Sequence, residues 1–240
     1  MLLLTRAAAS DDASAAAAQQ GTPYVVVETG QGYARLQDAV NAIGDGMGTI
    51  QVAPGRHSDC AVQGAGDIAY VAATPGQAVF DNVACEGKGA LVLRGRSAKV
   101  AGLVFANIRV PDFNGSGIRL ERGNLTVSQS WFRDSQQGIL AGVDTASSIS
   151  IDKSTFTRLG TCDGPGGCAH SIYIGNYGSL TVRESRFERG MGGHYVKARS
   201  AEVVIENNSF DDANGKATNY MIDLPAGSVG RIADNWFVQG

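Results

Sequence analysis

The chain has 240 residues, of which 43% are hydrophobic and 32 are glycine, and its formal net charge is −3. This length and apolar content are sufficient for one long core, whereas the small net charge predicts no general attraction to nucleic acid or to an anionic membrane surface. No apolar run reaches the length of about 20 residues that a membrane-spanning helix needs.

Residues 1–22 are rich in Ala, Ser and Gln and begin with a short leucine run. They lack both the basic start and the sufficiently long apolar stretch of a signal peptide. We interpret them as a disordered leader, with the remnant of a secretion signal as the alternative. Residues 23–240 are then one domain.

An N-terminal cap is predicted over residues 23–47. Tyr24–Glu28 reads as a strand, and the following helix, predicted over Tyr33–Ile43, is amphipathic and stops at Gly44. Its apolar face consists of Leu36, Ala39, Val40 and Ile43. The strand Gly48–Gly55 then opens the coils, predicted over 48–240, and the helix would cover the apolar end of the first coil.

A short phrase recurs through the C-terminal two thirds of the chain. Each copy is an alternating strand, then Ser or Asn at a turn, then an aromatic residue that points back inward. The copies are Leu125–Phe132, Ile149–Phe156, Leu180–Phe187, Val203–Phe210 and, more loosely, Val229–Phe237, and Phe105 precedes them with the same spacing. Units of about 25 residues that are rich in Val, Ile, Thr and Gly predict a solenoid with three short parallel strands per turn.

The segments Gly32–Ile43 and Gly48–Gly55, followed by the Ser/Asn-x-Phe coils, resemble the right-handed parallel β-helix proteins of the pectate lyase-like superfamily. The resemblance covers almost all of residues 24–240. It implies an all-β fold, a right-handed parallel β-helix with an N-terminal amphipathic capping helix. It implies no single activity, since that superfamily includes polysaccharide lyases, hydrolases, epimerases, esterases and non-catalytic surface proteins.

The last coil phrase, ending in Trp236–Gly240, is followed by no polar cap. An open solenoid end exposes apolar residues and unpaired strands. We therefore expect either a longer natural protein or a partner over this end, including self-association through the C-terminal coil.

The four cysteines predict two disulfides. Cys162 and Cys168 belong to one short Gly-rich loop, whereas Cys60 and Cys85 are one coil apart and would stack on neighbouring turns. Two disulfides favour an oxidising compartment, periplasmic or extracellular. Zinc is the weaker alternative, because the C-x₂-C spacing is missing and the chain has only three histidines.

Aligning the strands that open the later coils predicts one functional face. The inward positions placed in register are Ile118, Ile139, Ile172, Val196 and Ile222. Strand alternation then sends outward a column of Arg119, Leu140, Tyr173, Lys197 and Asp223, with Arg199 in the neighbouring column. The same face is predicted to carry Ser171, Tyr195 and Met221, and His170, His194 and Tyr220 form a third column at the corner where each strand begins.

This face suits β-elimination on a uronic acid polymer. The reaction needs a cation for the sugar carboxylate, a base for the adjacent proton and a donor for the leaving oxygen. Arg199 is the candidate clamp, Lys197 or His194 the base and Tyr173 the donor, with His170 beside them. The candidate substrate-binding residues are Tyr195, Tyr220, Asp223 and Arg119. The prediction is a lyase that acts on an acidic polysaccharide.

Three alternatives remain open. Ala169–Gly175 is similar to the Gly-His-Gly-Ile-Ser-Ile-Gly element of polygalacturonases, which favours hydrolysis with His170 in the site. The face offers only Asp223 and the more distant Glu121, whereas a glycosidase needs two carboxyls about 5–9.5 Å apart. An epimerase shares the first step of a lyase. A non-catalytic glycan-binding or envelope protein would use the same face only to grip an acidic chain.

No cofactor is predicted. A calcium-assisted lyase needs clustered carboxylates. The candidates Asp134, Asp144, Asp152 and Asp163 are scattered along the sequence, so calcium is not indicated.

Overall fold

A computed structural model describes residues 21–240; residues 1–20, which hold most of the predicted leader, lie outside the described part. The described chain is 53% strand and 4% helix. It forms a parallel β-solenoid of about seven turns, in which each coil contributes one strand to each of three sheets. The predicted all-β coil of three strands per turn is confirmed.

The elements follow one another coil by coil, and within each coil the strands belong to sheets A, B and C in that order. Before coil 1 the chain forms β1 (Tyr24–Val26), β2 (Gln31–Tyr33) and helix α1 (Leu36–Ile43). Coil 1 comprises β3 (Met47–Val52), β4 (Gly55–His57) and β5 (Ala61–Gln63), and coil 2 comprises β6 (Asp67–Ala72), β7 (Ala78–Asp81) and β8 (Gly89–Leu93). Coil 3 comprises β9 (Ser97–Ala101), β10 (Leu103–Ala106) and β11 (Ser116–Leu120), and coil 4 comprises β12 (Asn124–Ser128), β13 (Trp131–Arg133) and β14 (Gln137–Ala141). Coil 5 comprises β15 (Asp144–Asp152), β16 (Thr155–Thr157) and β17 (Ile172–Ile174), and coil 6 comprises β18 (Tyr177–Arg183), β19 (Arg186–Glu188) and β20 (Gly193–Ala198). Coil 7 comprises β21 (Glu202–Glu206), β22 (Ser209–Asp211) and β23 (Thr218–Asp223). Coil 8 contains β24 (Val229–Ala233) and β25 (Trp236–Val238).

An aromatic ladder runs through the core along sheet B. The stacked residues are Phe80, Phe105, Phe132, Phe156, Phe187, Phe210 and Phe237, with neighbouring ring centroids 4.8–5.6 Å apart. Parallel in-register strands place identical residues directly above one another, so one phenylalanine per coil produces a continuous stack. Phe80, which precedes the recognised repeats, extends the ladder beyond the predicted set.

A second ladder explains the Ser or Asn of each repeat. Its members are Ser130, Ser154, Ser185, Asn208 and Asn235. The side-chain oxygen of each of the last four accepts a hydrogen bond from the backbone N–H of the member on the preceding coil, over 2.9–3.2 Å. These bonds satisfy backbone groups at the corner between sheets A and B, where the strand ladder is interrupted.

The N-terminal cap differs from its prediction at one end. Helix α1 buries Leu36, Ala39 and Val40 against the core and ends at Gly44, whose φ of +60° suits glycine. The helix begins at Leu36 rather than at Tyr33, because Tyr33 pairs with Tyr24 in an antiparallel hairpin that precedes it. The Leu36 N–H donates to the Asp59 carboxylate over 2.6 Å, which satisfies a free donor at the start of the helix.

Both predicted disulfides are present. Cys60–Cys85 joins the loops of coils 1 and 2, and Cys162–Cys168 closes the loop between β16 and β17. They are compatible with an extracellular or periplasmic location. Within residues 21–240, no helix has the length and apolar character required to cross a membrane.

Coil 8 presents large apolar side chains to solvent. Val229, Trp236 and Phe237 are 66%, 69% and 50% exposed. Since no described coil packs on that side of sheet B, the outer face of the Phe237 ring lacks an aromatic neighbour there. Self-association through this face stays a prediction.

Candidate functional site

The register predicted for sheet C is confirmed. Ile139 pairs with Ile172, which pairs with Val196 on the next coil, and the chain therefore carries the outward column in the predicted order. That column contains Arg119, Leu140, Tyr173, Lys197 and Asp223 as cross-strand partners on successive coils. One period-two strand pattern thus determines which side chains can meet on the outer face of the sheet.

An open cleft of about 420 Å³ lies at the corner where strands of sheet C begin. Five coils contribute to it, from the loop of coil 3 to the start of β23. The polar side chains that line it are Asp112, Asn114, Gln137, His170, Tyr173, His194, Lys197, Arg199 and Asn219. All five predicted catalytic residues are therefore brought into one cavity.

Two loops form one wall of the cleft. The loop before β11 carries Phe113, and the disulfide-closed loop before β17 carries Gly164. The two loops are in close contact, because a Cβ atom added to Gly164 would lie only 3.1 Å from the Phe113 Cβ. The glycine therefore allows the close approach that brings the coil 3 loop and the coil 5 loop together.

The corner histidines form a stacked column. The rings of His170 and His194 are 4.7 Å apart and almost parallel, and Tyr220 stacks on His194 at 5.2 Å. His170 Nδ1 accepts the backbone N–H of His194 over 2.9 Å, and His194 Nδ1 accepts the backbone N–H of Tyr220 over 3.1 Å. Because each Nδ1 is an acceptor, each neutral ring must carry its proton on Nε2.

The surroundings keep both histidines neutral. Burial, followed by the nearby charges of His194, Lys197 and Arg199, lowers the pKa of His170 to about 3. Burial also lowers the pKa of His194, although the Asp223 carboxylate opposes that shift. Each ring therefore provides an uncharged N–H donor at neutral pH, and neither has a free nitrogen lone pair for use as a base in this arrangement.

The cations of the cleft surround one phenol. Arg199 donates a hydrogen bond to the Tyr173 hydroxyl, and its guanidinium carbon lies 5.2 Å from the centre of that ring. The Lys197 ammonium lies 5.5 Å from the same ring centre. Because Arg199 donates to the phenol oxygen, the Tyr173 O–H proton is directed away from Arg199. This arrangement suits a proton donor.

Asp223 bridges two members of the site. Its carboxylate lies 3.3 Å from His194 Nε2 and 3.6 Å from Lys197 Nζ. The predicted neighbourhood of Asp223 and Lys197 is confirmed, and the Asp223 side chain is 23% exposed. Asp223 holds both neighbours from the coil 7 side rather than lining the cavity itself.

Like Asp223, the other predicted substrate-binding residues, Tyr195, Arg119 and Tyr220, do not line the cleft. Tyr195 is 1% exposed and donates its hydroxyl proton to the Asp212 carboxylate over 2.7 Å, so its predicted outward placement is wrong. The chain turns at this corner, where Gly193 has a φ of +68°, and strict alternation fails. Arg119 is on the outward column but does not line the cleft, since buried Leu140 lies between it and Tyr173.

The sequence analysis missed the polar residues at the coil 4 end of the cleft. Gln137 is two positions before Ile139 and therefore belongs to the same column as His170. Extending the strand alignment of the sequence by two residues would have identified Gln137. Asn114 and Asp112 lie in a loop whose position no strand pattern predicts.

Within residues 21–240, no group of three His, Cys, Asp or Glu side chains converges in a way that could hold a metal ion. Comparison with known proteins gave no match to a family model, to a curated protein or to a solved structure. The structure shows a parallel β-solenoid, and neither it nor the comparisons establish membership of a particular family.

Proposed function

We propose that this protein binds an acidic, uronate-containing polysaccharide in the cleft and cleaves it by β-elimination. The observation that carries the proposal is the arrangement around Tyr173, where Arg199 bonds to the phenol and Lys197 lies beside its ring. The cleft thus combines a guanidinium, an amine and a proton donor in a protein whose total charge is negative. An anionic sugar would be attracted to this local charge.

The roles follow from the contacts. Arg199 has guanidinium nitrogens besides the one bonded to Tyr173, and these can bind the carboxylate of a uronate. Lys197 removes the proton from the carbon beside that carboxylate. The electron pair forms the carbon–carbon double bond, the glycosidic C–O bond breaks, and Tyr173 gives its proton to the leaving oxygen. Proton return from Lys197 to Tyr173 restores both groups.

The histidines have a different role in this proposal. His194 was an alternative base, but its Nδ1 accepts a backbone N–H and its Nε2 faces Asp223. We therefore assign the base to Lys197. In this proposal the two rings line the cleft as uncharged side chains, with the His194 Nε2–H directed at Asp223.

Hydrolysis is less well supported than elimination. Glycosidases use two carboxyl groups that flank the scissile bond. Among the described residues that line the cleft, Asp112 is the one carboxylate, and it lies in the coil 3 loop. Non-catalytic binding has one specific observation in its favour, namely that Lys197 is already paired with Asp223.

The decisive experiment is an ultraviolet assay for unsaturated uronate ends on alginate, polygalacturonate, glucuronan, gellan-type polymers and glycosaminoglycans. We expect absorbance to increase on one polymer. Lys197→Arg retains the charge but cannot act as the base, and Tyr173→Phe lacks the donor, so each should reduce the rate by about 100-fold or more. Lys99→Ala, at an exposed position of sheet A, is the matched control and should leave the rate unchanged.

An absence of new absorbance on every polymer, with reducing ends also unchanged, would contradict the lyase assignment. Retarded migration through a gel containing one of the polymers would then support the binding-only alternative. Equal rates for Lys197→Arg and the unmodified protein would contradict the choice of base.

A further inference from the structure

One end of the cleft contains a buried amide side chain in which only one of the two polar atoms is hydrogen-bonded. Gln137 is 1% exposed, and its Nε2 donates to Asn114 Oδ1 over 2.8 Å. Its Oε1 has no hydrogen-bond partner in the described part of the chain. A buried carbonyl oxygen without a partner costs about 1–3 kcal/mol, so such groups in native proteins usually have a reason to be there.

A complementary donor lies on the next coil. His170 Nδ1 is occupied by the backbone N–H of His194, which leaves the Nε2–H as the free donor of the neutral ring. No residue among 21–240 accepts a hydrogen bond from it. The ring lines the cleft and is otherwise enclosed, with 5% of the residue exposed.

The acceptor and the donor belong to the same column. Ile139 pairs with Ile172, so Gln137 and His170 are equivalent positions on coils 4 and 5. Adjacent coils are about 4.8 Å apart, a separation that one hydroxyl group can bridge. A hydroxyl can donate to the amide oxygen and accept from the imidazole at the same time, whereas a carboxylate can only accept.

The position of this pair relative to the cations restricts the sugar. Lys197 and Arg199 are on coil 6, and the midpoint of coils 4 and 5 is one and a half coil spacings away, roughly 7 Å. A single pyranose ring with its substituents spans such a gap. The carboxylate would lie on the cationic side and a ring hydroxyl on the neutral side.

We propose that Gln137 and His170 form a hydroxyl subsite, which binds a ring hydroxyl of the same uronate whose carboxylate is held by Arg199. The inference rests on the proposed function and adds a specificity determinant to it. Uronates that differ in the orientation of the hydroxyl across the ring from the carboxylate should then differ in affinity. Selection at this subsite uses neutral groups and is therefore less sensitive to salt than the contact with the cations.

The test is calorimetric titration with tetramers of galacturonate, mannuronate, guluronate and glucuronate. Gln137→Leu has a similar length but no acceptor, and we expect it to raise the Kd of the preferred tetramer about tenfold. Lys99→Ala, at an exposed position of sheet A, is the control and should change the Kd by less than about twofold. Arg199→Ala should abolish detectable binding.

The outcomes separate the two proposals. If the unmodified protein binds none of the tetramers and gives no absorbance on any of the polymers, the proposed function fails, and the hydroxyl subsite with it. If Arg199→Ala weakens binding while Gln137→Leu binds as tightly as the unmodified protein, only the hydroxyl subsite is overturned.

A second measurement covers the case in which Gln137→Leu does not fold. Nitrogen NMR of the unmodified protein reports which ring nitrogen of His170 carries the proton. We expect the Nε2–H form from about pH 5 to about pH 8, with a shift of the Nε2 signal when the preferred tetramer is added. The Nδ1–H form, or an unchanged signal in the presence of a tetramer that binds, would overturn the subsite.

Discussion

His170 is a histidine that the folded protein keeps uncharged. Its ring is buried between His194 and the edge of Tyr173, and Lys197 and Arg199 place positive charge nearby. Burial and these charges all disfavour the imidazolium. Since the unfolded chain binds a proton at this histidine near its ordinary pKa, the difference between the two states must appear as a pH dependence of stability.

We expect the free energy of unfolding to decrease as the pH falls from about 6.5, the ordinary pKa of histidine, toward the folded-state value of about 3. In this window the unfolded chain takes up a proton that the folded protein excludes, at a cost on the order of 4 kcal/mol at most. Asn can supply an acceptor in the place of Nδ1, so His170→Asn should fold and show a smaller decrease. Urea denaturation at successive pH values measures this, and parallel curves for the two proteins would contradict the assignment.

Tyr195 shows how a single residue can leave the pattern of its strand. Its hydroxyl accepts the Gly190 N–H and donates to the Asp212 carboxylate, and its ring contacts Phe187 and Phe210. A phenol can be buried when its oxygen finds such partners. The residue therefore stabilises the corner below the cleft instead of contacting a ligand.

At the scale of elements, the two disulfides differ in the length of chain that they close and in their position relative to the cleft. Cys60–Cys85 joins coils 1 and 2, neither of whose cysteines lines the cleft, over a separation of 25 residues, whereas Cys162–Cys168 closes a loop over a separation of 6 residues. Cys168 and three glycines of that loop line the cleft. The small ring therefore restricts the wall of the site, and the larger one restricts the unfolded chain.

We expect the double variants Cys162→Ser/Cys168→Ser and Cys60→Ser/Cys85→Ser to separate these effects. The chain-entropy argument predicts losses of about 2 kcal/mol and about 3 kcal/mol respectively. Only the first pair should weaken binding of the uronate tetramers, by about tenfold, because the wall is no longer ordered before binding. Denaturant unfolding and calorimetry measure the two quantities. Equal binding by both double variants would show that the loop has no part in the site.

At the scale of the whole molecule, stability depends on position along the solenoid. Each coil packs chiefly on its two neighbours, so an internal coil loses contacts on both sides when its core residue is truncated. Phe156 is fully buried between Phe132 and Phe187, whereas Phe237 is 50% exposed and stacks on Phe210 alone in the aromatic ladder.

We expect Phe156→Ala to reduce the free energy of unfolding by about 3–5 kcal/mol. Phe237→Ala should cost less than half as much, since half of its surface is already in contact with water. Denaturant titration followed by circular dichroism measures both. Similar losses for the two variants would mean that the end of the stack is covered in solution, which would support self-association through coil 8.

Much of the architecture could be predicted from the sequence, because it depends on local periodicity. Alternation along each strand and one phenylalanine per coil determine the register, and the register places Tyr173 beside Lys197. The one-coil spacing also predicted the Cys60–Cys85 pair, whereas the Cys162–Cys168 pair was predicted from its position within one short loop.

Two kinds of feature were decided by the tertiary structure alone. They are the side-chain directions at corners, where the chain turns, and the contacts between distant loops. Phe113 meets Gly164 across two coils, Tyr195 turns inward after Gly193, and the backbone N–H of His194 occupies His170 Nδ1. No period in the sequence encodes these contacts, since they arise where the strand pattern stops. The sequence by itself therefore determined the solenoid and the column of candidate residues, whereas the shape of the cleft and the protonation of its histidines came from how the coils pack.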